Sequence, residues 1–105
     1  MKTVITSSGE NNLAQFDKRF GRAAWFCVFD EETKETIFIK NTNTNSSNGA
    51  GTKAAEQIVS MNVQKVISGD FGPKAKDLLD KFNVQMVIIQ DNDVTVQGII
   101  EKLTT

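Results

Sequence analysis

The chain is predicted to be an α/β protein: a five-stranded mixed sheet with three helices, in the order β-β-β-α-β-α-β-α. Three observations predict this. Five short runs of apolar and β-branched residues are separated by turn-forming clusters. Three stretches in the second half carry apolar residues at helical spacing. That half alternates strand, helix, strand, helix, which favours parallel pairing through right-handed crossovers.

Each element has its own justification. Thr3 to Ser8 is β-branched and ends at Gly9, so it reads as the first strand. Glu10 to Arg22 offers Leu13, Ala14 and Phe16 and reads as a long return loop with at most a short helical turn. Ala24 to Phe29 is a solid apolar run, expected to be a central strand buried on both faces. The polar turn Asp30–Lys34 leads into a third, antiparallel strand, Thr36 to Ile39. Asn41 to Gly51 is low in complexity, and its Asn, Ser and Gly content predicts a mobile loop. Lys53 to Met61 is a helix with Ala54, Ile58 and Met61 inward and Thr52 as N-cap. Val63 to Ile67 is the fourth strand, and Gly69 is a turn residue that tolerates unusual backbone angles. Pro73, the only proline, suits the first position of a second helix, Lys74 to Phe82, with Ala75, Leu78, Leu79 and Phe82 inward. Val84 to Ile89 is the fifth strand. Thr95 to Leu103 is the last helix, with Val96, Ile99, Ile100 and Leu103 inward. Gly98 weakens it by ~1 kcal/mol relative to alanine or lets it approach the sheet.

With the first strand pointing up, the hairpin returns the third upward, and the crossovers keep the fourth and fifth upward. Four loops then share the upper edge: Gly9–Arg22, Asn41–Gly51, Gly69–Pro73 and Gln90–Val94. Ligands of open α/β sheets sit outside the carboxyl ends of the strands.

Composition excludes several classes of function. At 105 residues, 39% hydrophobic and 24% charged, the chain reads as one domain over residues 1–105 with its own core. No apolar run approaches the ~20 residues that span a bilayer, and no secretory leader is evident, so a cytoplasmic location is expected. A net charge of −1 without a basic stripe argues against nucleic acid as a partner. The single Cys27 precludes an internal disulfide and an all-cysteine metal site. There is no histidine and no tyrosine, which removes Ser-His-Asp and Cys-His catalysis, the HExxH zinc motif and every imidazole ligand.

What remains for catalysis is carboxylates, lysines, one thiol and hydroxyls, and two stretches are candidate anion sites. The cluster Asp17-Lys18-Arg19-Phe20-Gly21-Arg22 places Arg19 and Arg22 beside a glycine, with forks of donors suited to a bulky anion; a solvated loop with Asp17–Arg pairing is the alternative. Gly69, Asp70, Phe71 and Gly72 lead into a helix whose free N–H groups and dipole would make a modest anion site; a plain βα turn that binds nothing is the alternative. Gly49 and Gly51 allow close approach to a ligand from the facing loop, and Asn48 beside them is a candidate contact. Asp70 and Asp91 end neighbouring strands and are candidates to meet, although Asp70 fits equally as an acceptor for backbone N–H groups. Cys27 reads as a small hydrophobe inside its strand.

Phe16-Asp17-Lys18-Arg19-Phe20-Gly21-Arg22-Ala23-Ala24-Trp25-Phe26, then Gly49-Ala50-Gly51 before Ala54-Ala55, Ser68-Gly69-Asp70-Phe71-Gly72-Pro73-Lys74-Ala75, and Val94-Thr95-Val96, together resemble the dinitrogenase iron–molybdenum cofactor biosynthesis family. The resemblance covers nearly the whole chain. It implies a ribonuclease-H-like, three-layer fold. It also implies a small non-enzymatic carrier or chaperone for an anionic metallocluster of iron–sulfur or iron–molybdenum type, with a protein partner in cofactor assembly. Relatives often carry histidine in the loop equivalent to Asn41–Gly51. Here asparagine, threonine and serine stand there, poor ligands for iron or molybdenum, which leaves charge and backbone donors to hold the cargo. The competing expectations are a cofactor-free interaction module and, by fold analogy alone, a divalent-metal nuclease; the acid-poor first strand disfavours the nuclease.

Overall fold

A computed structural model describes residues 1–44 and 49–104. One sheet holds five strands: β1 (Lys2–Ser7), β2 (Trp25–Asp30), β3 (Thr36–Lys40), β4 (Lys65–Ser68) and β5 (Gln85–Ile88). Their spatial order is β3-β2-β1-β4-β5. Three helices, α1 (Ala50–Val59), α2 (Pro73–Lys81) and α3 (Val96–Thr104), follow β3, β4 and β5. The predicted element order and mixed sheet are those found.

β1 pairs antiparallel with β2, Val4 opposite Val28 and Ile5 opposite Cys27. On its other side β1 runs parallel to β4, with Val4 opposite Val66. β2 and β3 are antiparallel, β4 and β5 parallel. The carboxyl ends of β1, β3, β4 and β5 therefore share one edge, as the connection rules require.

The pleat divides the core in two. Val4, Phe26, Val28 and Val66 project to one face and are covered by Ala54, Ala55 and Ile58 of α1 and Ala75 and Leu79 of α2. Ile5, Cys27, Phe29 and Ile67 project to the other face, under Val96, Ile99 and Ile100 of α3. Each fully buried Ile or Leu side chain contributes about 1.5–3 kcal/mol, so both layers matter to stability. Cys27 has no solvent contact, and burial pushes its thiol up to about 12.

Several expectations are corrected. α1 begins at Ala50, three residues earlier than predicted, and its N-cap is Gly49 at φ 74°, not Thr52. The glycine at a left-handed backbone position starts the helix, because threonine there would be strained. Phe82 is 52% exposed; it caps the end of α2, with the Lys81 ammonium 5.9 Å from its ring centroid. Phe20, absent from the expected core, is buried in a short 3-10 turn (Phe20–Arg22), its ring 5.0 Å from Phe71 and 6.5 Å from Phe26. Asn41, placed at the start of a mobile loop, is buried: its carboxamide donates to the carbonyls of Gly21 and Ala23 and accepts the Asn43 N–H.

Candidate functional site

The loops at the carboxyl edge are bolted to one another. The buried Thr6 hydroxyl, at the end of β1, donates to the Asp17 carbonyl and lies 2.9 Å from the Ser68 hydroxyl on β4. Gly69 packs on the backbone of Lys18; a Cβ there would come within 2.7 Å of the Lys18 Cα and carbonyl oxygen. Glycine is required there by this close approach rather than by its tolerance of unusual backbone angles, since among the described glycines only Gly49 has positive φ. Gln90 donates to the Gly69 carbonyl, and Lys18 Nζ donates to Asn92 Oδ1 at 2.5 Å.

Three segments of this edge enclose a cleft of about 480 Å³: Gly21 and Arg22 from the 3-10 turn, Gly49 to Thr52 from the start of α1, and Gly72 to Ala75 from the start of α2. A Cβ on Gly21 would lie 2.8 Å from the Gly51 nitrogen, so glycine is what lets the turn sit against the first turn of α1. α1 and α2 cover the same face of the sheet, and both crossovers return upward. Their N-termini therefore meet at one place.

Neither N-terminus is capped by a side chain. α3 differs: the Thr95 hydroxyl accepts the Gly98 N–H and closes that helix within the chain. At α1 and α2 the first intrahelical bonds are Lys53 N–H to Gly49 carbonyl and Lys76 N–H to Gly72 carbonyl. The N–H groups before them point out of the helix ends. Neither first turn contains an acidic residue, and among the described residues no carboxylate lines the cleft. Arg22 and Lys74 do line it. Arg22 Nη1 donates to the Thr44 carbonyl at 2.6 Å, a neutral acceptor that leaves the positive charge in place.

The residues singled out from sequence divide accordingly. Arg22, Gly49, Gly51 and Gly72 come together in the cleft. Arg19 is not among its lining residues; its guanidinium makes two bonds to the Asp17 carboxylate, at 3.0 and 3.1 Å, and that pairing raises its pKa further. Gly69 and Phe71 act one layer below, through Lys18 and Phe20. Asp70 and Asp91 do not form a pair: Asp70 Oδ1 accepts the Phe20 N–H at 3.4 Å, while Asp91 bonds Lys102 of α3 at 3.1 Å. Asn48 lies outside the described residues. Sequence reasoning missed Gly21 and Lys74. The signal for Lys74 was present, since it follows the proline that marks the first position of α2.

No group of three His, Cys, Asp or Glu able to hold a metal occurs among the described residues. Cys27 lies in the α3-side core layer, away from the cleft. Among the described residues the cleft thus supplies N–H donors and positive charge but no thiolate, imidazole or carboxylate.

Comparisons with known proteins agree with this architecture. A family model described as dinitrogenase iron-molybdenum cofactor matches residues 1–105. Among solved structures, the apo form of the orange protein from Desulfovibrio gigas is 27% identical with a TM-score of 0.90, covering 97% of this chain and 85% of that one. A Thermotoga protein proposed to be a NifB protein, solved by NMR, is 26% identical with a TM-score of 0.83, covering 98% of this chain and 86% of that one. None of the curated proteins matches the chain.

Proposed function

Because the chain belongs to the dinitrogenase iron–molybdenum cofactor family, we propose that it is a small carrier for an anionic metal–sulfur cluster or a molybdenum-containing precursor. The observation that carries this reading is the convergence of two uncapped helix N-termini with Arg22 and Lys74 in a cleft free of carboxylates. Backbone N–H groups at helix ends bind anions, and arginine adds a charge-assisted fork. The cargo keeps its own sulfide or oxo shell, because the lining offers no thiolate, imidazole or carboxylate to replace it. Binding is then electrostatic and reversible, as a carrier needs. On this reading the role is transfer rather than catalysis. The partners of this reading are the cluster itself and a protein of cofactor assembly that supplies or receives it. The reducing cytoplasm suits a sulfide-ligated cargo.

The test is anaerobic reconstitution with iron, sulfide and tetrathiomolybdate, followed by desalting, metal analysis and an absorbance titration. The unmutated protein is expected to retain a coloured anionic species, and Arg22→Ala to bind it about tenfold more weakly. The absence of histidine favours a second reading, a cofactor-free interaction module. Failure of the unmutated protein to retain any metal would overturn the carrier reading and leave the interaction module in its place.

A further inference from the structure

The cleft concentrates charge that its own helix resists. Lys74 is the second residue of α2, is exposed, and lines the cleft. A cation in the first turn opposes the helix dipole, whereas Lys81, in the last turn of the same helix, complements it. Among the described residues no ion pair reaches Lys74 or Arg22. The two cations come from different elements, Arg22 from the 3-10 turn and Lys74 from α2.

On the carrier reading of the cleft, we propose that Lys74 sets the charge threshold of the site. With Arg22 it selects ligands bearing at least two negative charges over a singly charged ligand of the same shape. A monoanion neutralises one cation and leaves the other opposed to a helix end. A dianion relieves both, and does so where fields from both helix ends add. Lys74 is a specificity determinant here because the backbone N–H groups are common to every variant, so only the count of side-chain charges changes.

Tetrathiomolybdate and tetrathiorhenate are the probes: both tetrahedral and coloured, with charges of −2 and −1. Each is titrated at low ionic strength into the full chain and into Lys74→Ala and Lys81→Ala. The unmutated protein is expected to prefer the dianion. Lys74→Ala should lose about tenfold on the dianion and much less on the monoanion. Lys81→Ala should keep the original ratio. An unchanged ratio in Lys74→Ala overturns the proposal while leaving the carrier reading intact. Binding of neither anion by the unmutated protein overturns both. Thermal unfolding of Lys74→Ala and Lys81→Ala without ligand guards against misfolded variants.

Discussion

At Cys27 burial has a direct chemical consequence. The thiol has no solvent contact and is pushed up to about 12, so little thiolate exists near neutral pH. Alkylation of the native protein at pH 8 should be far slower than in denaturant; equal rates would mean that the strand opens readily. The sign for stability follows from a folded pKa raised above the ordinary value of 9.0. The contribution is fully present below about 9 and is lost as pH rises toward about 12. Cys27→Ala should therefore flatten the alkaline limb of the stability profile. Two other residues have structural roles that a sequence does not advertise. Asn41→Ala would strip donors from the half-buried Gly21 carbonyl and the buried Ala23 carbonyl and should cost about 1–3 kcal/mol in denaturant unfolding. Gly69→Ala would drive a Cβ into the Lys18 backbone, which has nowhere to yield, and should cost about 1–3 kcal/mol.

At the scale of elements, the start of α2 separates stability from function. Gly72 is its N-cap at φ −65° and ψ 158°, with no atom within 4 Å of where a Cβ would stand. A serine fits there and presents its hydroxyl to the free N–H groups of the first turn. Gly72→Ser should stabilise the protein by roughly a few tenths of a kcal/mol. The same hydroxyl would occupy donors that the anion uses, so tetrathiomolybdate affinity should fall. Stabilisation together with unchanged affinity would show that those N–H groups do not touch the ligand. α3 supplies the internal comparison: its Thr95 cap is already in place, and its N-terminus takes no part in the cleft.

For the whole molecule, the sheet order places α1 and α2 on one face and α3 on the other. Two stretches separated by more than a strand, residues 49–52 and 72–75, consequently border the same cleft. Adding tetrathiomolybdate should slow amide exchange at both stretches together, while the amides of α3 are unaffected by direct contact. Protection of one stretch alone would place the ligand elsewhere on the edge. Ligand at about 100 times Kd should also stabilise the fold by ~2.7 kcal/mol, read as a rise in the unfolding midpoint.

The sequence by itself determined the element order, the strand directions and the edge where the loops gather. Those follow from local properties: apolar period, turn chemistry and the handedness of crossovers. It also marked Arg22, Gly49, Gly51 and Gly72, because arginine and glycine beside helix starts carry a recognisable chemistry. Tertiary structure decided which of the marked residues meet. Arg19 and Arg22 look equivalent in sequence, yet Asp17 engages one while the other lines the cleft beside Gly51. Gly69 and Gly21 owe their identity to backbones that approach from distant segments, which no local pattern records. Lys74 belongs to the cleft only because both crossover helices begin at the same edge and the same face. Pairing partners, close approaches and shared clefts are long-range contacts, and they become definite only once the sheet is assembled.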